Sequence, residues 1–274
     1  MNNFPNSVRI KKIVKLTPLV NAYTFDYPKR AKPGQFVNIW VPGVGENPMS
    51  IAFDDGKSYT LAIAAVGNTT KELAKKRVGN YIGIRGPYGT NFSWKRGQKI
   101  AMLAGGYGTA PLYFAAYLAS RENCKIDFFL GGRSREHLLF SDKIKRLKNT
   151  RFFPATDDGS CGFNGRNVPC WEIQLAKGEK YDLIMACGPE LMEKAVSDIA
   201  HAKKIPAQIS VERYMKCGFG ICGNCCVDDI GIPTCKNGPV MDNKLVRKIK
   251  EFGIYHRDSV GRRIYLAGHA PNRI

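Results

Sequence analysis

Residues 217–235 read Cys217-Gly-Phe-Gly-Ile-Cys222-Gly-Asn-Cys225-Cys226-Val-Asp-Asp-Ile-Gly-Ile-Pro-Thr-Cys235, which places five of the chain's nine cysteines in one short stretch. Taken as C-x4-C-x2-C-x9-C, the thiols of Cys217, Cys222, Cys225 and Cys235 have the spacing of a plant-type [2Fe-2S] site. Four thiolates must converge on two irons, so three come from one tight loop and the fourth from a later element. Gly218, Gly220 and Gly223 let that loop close on inorganic sulfide, because glycine reaches positive φ without steric cost. Their amides would then offset the cluster's negative charge. Structural zinc usually takes paired C-x2-C knuckles, whereas here the first gap is four residues and no matching knuckle follows. A disulfide framework belongs to small secreted domains, and inert buried cysteines rarely occur at this density. Cys226 stays open as an alternative to Cys225 for the third ligand.

Outside this stretch, 274 residues with 44% hydrophobic content suffice for two domains and a small appendage. Met1-Asn-Asn-Phe-Pro5 has no basic segment leading into an apolar run, and no stretch approaches the ~20 apolar residues of a membrane span. A cytoplasmic location is expected, where thiols stay reduced and can hold metal. The net charge of +19 is not confined to a tail, since residues 1–97 alone carry 15 basic and 5 acidic groups. With no Arg-Gly repeat or aromatic-basic stripe, this excess suits steering of anionic nucleotides or docking of an acidic partner.

From Val8 to Arg85 short alternating strands recur at 8–14, 21–25, 35–41, 49–53 and 59–65, the pattern of a closed antiparallel barrel. A short helix is expected from about Thr70 to Lys76, capped by Thr69 or Thr70 with Glu72 in its first turn. Two places here suit a nucleotide: Asn47-Pro48-Met49-Ser50, read as a turn entering a strand, and Gly67-Asn68-Thr69-Thr70-Lys71, read as a helix N-terminus open to an anion. Gly86-Pro87-Tyr88-Gly89 is expected as the tight turn that ends the barrel.

At Lys99 the period changes. Lys99–Ala104 is a continuous apolar strand, followed by Gly105-Gly106-Tyr107-Gly108-Thr109 and an apolar helix from about Ala110 to Ser120. Further strands are expected at 125–130, 151–155 and 182–186, with helices near 141–148 and 189–203. This alternation argues a parallel sheet. The glycine turn lets backbone approach a pyrophosphate at the helix N-terminus, although G-G-x-G is not the G-x-G-x-x-G fingerprint. Asp157-Asp158-Gly159-Ser160 and Cys187-Gly188-Pro189 lie at strand ends, where open sheets bind ligands. Ile205-Pro206 reads as a linker, and 208–211 as a strand leading to the cysteine loop. The expected domains are 1–97, 98–207 and 208–274, the last too small to bury a core without metal. A helix is expected at 243–250, and His256 and His269 read as surface histidines.

Barrel, nucleotide-binding α/β unit and C-terminal [2Fe-2S] loop, in that order, resemble the electron-transfer subunit of class 1B dihydroorotate dehydrogenase within the ferredoxin-NADP reductase superfamily. Met215-Lys216-Cys217 through Cys225, and Cys235-Lys-Asn-Gly238-Pro239-Val240, carry the resemblance most specifically. It implies FAD on the barrel, with Pro48, Met49 and Ser50 as the flavin segment, Thr70 and Thr69 at the phosphate-capping helix, and Ile63 and Ala64 beside the adenosine. It implies NAD(H) at Gly105, Gly106, Gly108 and Thr109, at Asp158, Gly159 and Ser160, and at Cys187, Gly188 and Pro189. The family's flavin segment begins with Arg where this chain has Asn47, so a cation near the FAD pyrophosphate would come from Lys71 or Arg85.

The implied activity is electron transfer from an FMN-containing catalytic partner, in a heterotetramer of two of each chain, through [2Fe-2S] and FAD to NAD+ in pyrimidine biosynthesis. Sulfhydrogenase flavin subunits and NADH-dependent ferredoxin-NADP oxidoreductases share this architecture. A zinc-stabilised basic adaptor binding nucleic acid is the alternative of another class.

Overall fold

The computed structural model describes residues 4–268. Six antiparallel strands, β1 (Asn6–Lys15), β2 (Val20–Asp26), β3 (Phe36–Val41), β4 (Gly45–Asp54), β5 (Ser58–Ala64) and β6 (Tyr81–Tyr88), close a barrel in the order β1-β2-β5-β4-β3-β6. Alternation drives the closure: Ile10, Phe25, Val37, Ile39, Ile51, Tyr59, Leu61 and Ile84 turn inward and are fully buried or nearly so. Each such side chain contributes roughly 1.5–3 kcal/mol.

Helix α1 (Asn68–Ala74) sits between β5 and β6. It begins earlier than expected and is capped by Gly67. The Thr70 hydroxyl serves it from inside the first turn, accepting from the N–H groups of Gly67 (3.0 Å) and Val66 (3.1 Å). No acidic residue lies in that turn, so Glu72 does not play the expected role.

Two further expectations change. Asn47–Ser50 is interior to β4, paired with Ile39, Asn38, Val37 and Phe36 of β3. Gly86-Pro87-Tyr88 belongs to β6, with a cis bond at Gly86–Pro87, and does not form a turn. The glycines of β6 serve packing. A Cβ on Gly83 would come within 2.7 Å of Trp40 and 2.8 Å of Pro5.

The second half is a seven-stranded sheet. Its elements are β7 (Lys99–Gly105), α2 (Thr109–Arg121), β8 (Lys125–Gly132), α3 (Ser141–Lys145), β9 (Thr150–Thr156), β10 (Phe163–Asn164), α4 (Asn167–Ala176), β11 (Leu183–Cys187), α5 (Glu190–Ala202) and β12 (Ala207–Ser210). With β13 (Val240–Asp242), the strands run β10-β9-β8-β7-β11-β12-β13, parallel except for the last pair, and β7 and β11 are buried on both faces. Helix α2 is apolar almost all round because it is wedged between sheet and barrel. Its Tyr113, Phe114 and Tyr117 surround Phe53 of β4 with ring centroids 4.8–6.2 Å apart.

The cysteine stretch is an excursion from this sheet. After β12 the chain passes through the cysteine loop and α6 (Thr234–Asn237), then returns as β13 (Val240–Asp242), antiparallel to β12. Since β12 pairs in parallel with β11, Ile184 opposite Ala207, the expected division at 207/208 falls within a sheet. Ile205-Pro206 is accordingly no linker, and the Pro206 carbonyl accepts from the Ile184 N–H at 2.9 Å. Helix α7 (Asn243–Val246) is shorter than expected, and a hairpin of β14 (Tyr255–Arg257) and β15 (Arg263–Tyr265) follows. Tyr255 Oη (2.6 Å) and Arg257 Nε (2.9 Å) pin that hairpin by donating to Asp228, just beyond the clustered cysteines. His256 is half-buried, and His269 lies outside the described residues. Among the described residues, no helix is long and apolar enough to cross a membrane.

Candidate functional site

The loop 217–226 owes its shape to Gly218, Gly220 and Gly223, at φ +86°, +88° and +74°. Gly218 is constrained further, because a Cβ there would meet the Tyr88 ring at 2.9 Å. Cys225 and Cys235 are buried and pack with Phe36 and Met215, Cys217 is half-buried, and Cys222 is exposed. The Cys235 N–H donates to Cys225 Sγ at 3.3 Å, as an amide does to a thiolate.

Cys226 turns the other way. It forms an isolated antiparallel bridge with Pro233 and lines a small cavity with Arg213, Tyr214, Glu251 and Tyr255. Cys225 lies inside a turn closed by the Cys226 N–H donating to the Gly223 carbonyl at 3.0 Å, and Cys226 lies at its exit, so Cys225 packs with Cys235 while Cys226 meets the cavity.

The thiols are electrostatically unequal. Burial pushes Cys217 up, but the backbone N–H groups of Cys222, Phe219 and Ile221 outweigh it and bring the thiol down to about 6. Burial, then the neighbouring Cys225 thiol, pushes Cys235 up to about 12. Cys226 is raised by burial and then by its thiol neighbours. Cys217 is thus readier to ionise than Cys235. Iodoacetamide is expected to label it well ahead of Cys235, with peptide mass spectrometry giving the order.

The donor set fits a binuclear cluster: four cysteines, three of them on a loop whose Phe219, Ile221 and Cys222 amides reach the Cys217 sulfur. Among the described residues no three or more His, Cys, Asp or Glu side chains gather so as to hold a metal ion.

Asn47, Pro48, Met49 and Ser50 are half-exposed along β4. Ile63 is packed inside the barrel and Ala64 against the sheet domain's core, so neither side chain is free to line an adenosine. Gly67 is open, since a Cβ there would meet nothing nearer than 4.0 Å, while Thr69 and Thr70 are buried. Lys71 is exposed in the last turn of α1, away from its N-terminus. Arg85 is unavailable to a phosphate, being paired with Glu46 and bonded to the cysteine loop.

Between barrel and sheet runs an open groove of about 1700 Å³. Gly105, Gly106, Gly108, Gly188 and Pro189 line it, with Thr17, Leu19 and Val66 as its barrel wall. The floor is closely fitted. A Cβ on Gly105 would come within 2.6 Å of Pro189, and one on Gly108 within 2.1 Å of the Cys187 carbonyl oxygen. Thr109 and Cys187 lie beneath this floor, buried, with the Thr109 hydroxyl donating to the Gly106 carbonyl at 2.7 Å.

Asp157 lines the groove, whereas Asp158, Gly159 and Ser160 form an exposed turn beyond it. There Asp158 accepts from the Ser160 hydroxyl (2.6 Å), and Arg135 donates to the Ser160 carbonyl (3.0 Å). These internal bonds leave the turn tied to Arg135.

Sequence reasoning missed two carboxyls in the groove, Glu193 and Glu212. Glu193 is 1% exposed and accepts from the Gly188 N–H at 3.0 Å, and burial followed by the Glu212 charge pushes its carboxyl far up. Glu212 is exposed at the groove, where the protein packed around its carboxyl, then Glu190, raise it as well. The available signal was the charged Glu212-Arg213 immediately after an apolar parallel strand, where ligands collect.

A family profile described as "Iron-sulfur cluster binding domain of dihydroorotate dehydrogenase B" matches residues 212–247, and one described as "Oxidoreductase NAD-binding domain" matches 102–198. A Methanocaldococcus jannaschii protein called "Probable dihydroorotate dehydrogenase B (NAD(+)), electron transfer subunit" is 44% identical, over 95% of this chain and 98% of its own. A protein of the same description from Methanothermobacter thermautotrophicus is 38% identical, over 96% and 98%. Among solved structures, an NADH-dependent reduced ferredoxin-NADP oxidoreductase superposes with a TM-score of 0.80 at 27% identity, over 90% of this chain and 92% of that one. With nearly full-length relatives above 30% identity, the chain belongs to the family of dihydroorotate dehydrogenase B electron-transfer subunits.

Proposed function

We infer that this chain is the electron-transfer subunit of an NAD-linked dihydroorotate dehydrogenase, serving a catalytic partner that oxidises dihydroorotate in pyrimidine biosynthesis. The observation that carries this reading is the joining of the four-cysteine loop to the proposed flavin strand, with the dinucleotide groove on the same barrel. Cys217, Cys222, Cys225 and Cys235 would hold the cluster, Asn47–Ser50 and the Gly67 end of α1 the FAD, and Gly105, Gly106, Gly108, Gly188 and Pro189 the NAD(H). When bound, the flavin links two-electron exchange with nicotinamide to one-electron exchange with the cluster.

The protein's part is placement and exclusion of water. Residues 4–97 form the flavin unit, 98–210 with 240–242 the dinucleotide unit, and 211–239 the cluster unit. Phe36, Met215 and Tyr88 cover the inner side of the cysteine loop. On the outer side Ile221 is 79% exposed beside exposed Cys222, a surface suited to the FMN-containing partner in an assembly of two of each chain. A cytoplasmic setting, where thiols stay reduced, suits Cys222.

Anaerobic purification with the partner chain tests the reading. It predicts about two irons, two sulfides and one FAD per chain, and NAD+ reduction by dihydroorotate only when both chains are present. A colourless, zinc-bound chain would sink it. The similarity to the ferredoxin-NADP oxidoreductase favours a second reading as the flavin subunit of such an enzyme. Co-purification with a larger iron-sulfur flavoprotein, and no dihydroorotate oxidation, would select that one.

A further inference from the structure

Arg85 of β6 has a side chain only 10% exposed, yet it carries a full charge. Its pKa is raised, chiefly by hydrogen bonding to Glu46, so it stays cationic. Glu46 precedes Asn47 on β4 and takes the guanidinium in a two-point pair, Nη2 to Oε2 at 2.5 Å and Nε to Oε1. The remaining donors leave the barrel: Nη1 donates to the Cys217 carbonyl at 2.5 Å and Nη2 to the Lys216 carbonyl at 3.2 Å. Asn38 of β3 donates to the same Lys216 carbonyl at 2.9 Å. The rings of Tyr88 and Phe219 flank the guanidinium, with centroids 5.8 and 5.6 Å away. One cation thus touches both the proposed flavin strand and the backbone of the first cysteine of the cluster loop.

We propose that the Arg85–Glu46 pair is a positioning device that locks the cluster loop to the flavin strand and tunes the cluster's reduction potential. The proposal rests on the iron-sulfur reading above and adds the role of two residues outside the ligand set. One-electron reduction adds one negative charge at the cluster. In a shielded site a nearby cation favours that charge and a nearby anion opposes it, each more strongly than in water. Arg85 bonds the ligand residue directly while Glu46 stands behind it, so the two charges do not cancel at the sulfur. Their fork geometry, which lysine cannot reproduce, fixes the loop.

The test is an anaerobic redox titration of the cluster-loaded chain, followed by EPR, for wild type, Arg85→Gln, Arg85→Lys and Glu46→Gln. Arg85→Gln is expected to lower the potential and Glu46→Gln to raise it. Each shift should correspond to about a tenfold change in the reduced-to-oxidised ratio, or about 59 mV for one electron. Arg85→Lys should stay closer to wild type in potential but slow flavin-to-cluster transfer, because the charge remains and the fork is lost. A merely structural pair predicts shifts of the same sign or none, and either would overturn the proposal. Should Arg85→Gln fail to assemble a cluster, Glu46→Gln, which keeps the donors to Cys217, decides alone: a raised potential supports the proposal, and an unchanged or lowered one defeats it. A wild-type chain with no [2Fe-2S] signal would refute the iron-sulfur reading itself, a result separable from these shifts.

Discussion

Cys225→Ala is expected to abolish the cluster, and Cys226→Ala to leave it in place. The two residues are adjacent in sequence, but their side chains have different neighbours. Cys225 is 2% exposed and receives the Cys235 N–H, whereas Cys226 faces the cavity of Arg213 and Tyr255. Removing Cys225 leaves three thiolates for two irons, and iron and acid-labile sulfide should fall near zero. Because metal binding stabilises so small a unit, the variant should also be cut faster by protease within 211–239. Cys226→Ala should keep both irons and the visible spectrum, with only the minor loss of a half-buried side chain. The reverse pattern would exchange the two assignments.

Gly108→Ala is expected to cost about 3 kcal/mol or more, beyond ordinary overpacking, whereas Gly106→Ala should be mild. A Cβ at Gly108 would lie 2.1 Å from the Cys187 carbonyl oxygen and 2.3 Å from its carbon, both backbone atoms that cannot swing aside. The α2 N-terminus would have to lift from β11, carrying the groove floor with it. Thermal unfolding should drop by roughly 6–12 °C, with NADH affinity reduced at least tenfold. Gly106 sits at φ +52° with nothing within 4 Å, so alanine pays only the left-handed backbone penalty of about 1–2 kcal/mol. Its methyl group would still project where a dinucleotide backbone comes close. Gly106→Ala should therefore weaken NADH binding while lowering the melting temperature by only roughly 2–8 °C, less than Gly108→Ala. Calorimetry and NADH titration of the two variants separate floor from contact.

Much of the barrel was legible because alternating burial is a local property, visible along β1, β2, β3 and β5. The sixth strand was hidden, since Gly83, Gly86 and Pro87 carry turn chemistry in sequence but serve close packing and a cis bond in the fold. Helix α4 was missed for a related reason. Asn167 reads as a loop residue, yet its buried amide donates to the Ala104 carbonyl at 2.8 Å, which ties the helix start to β7.

Local spacing was enough to propose the four-cysteine site and to read the glycine turn before α2 and the order of barrel, sheet and cysteine loop, because each depends on residues within a few positions of one another. Tertiary structure alone gave Cys225 and Cys226 different neighbours, placed β12 and β13 in the sheet, and brought a buried Glu193 and an exposed Glu212 to the groove. It also took Arg85 from a phosphate and gave it to Glu46 and Cys217, a residue 132 positions away. A guanidinium one-tenth exposed must find its partners in space, and those partners are set by how the barrel and the sheet pack together.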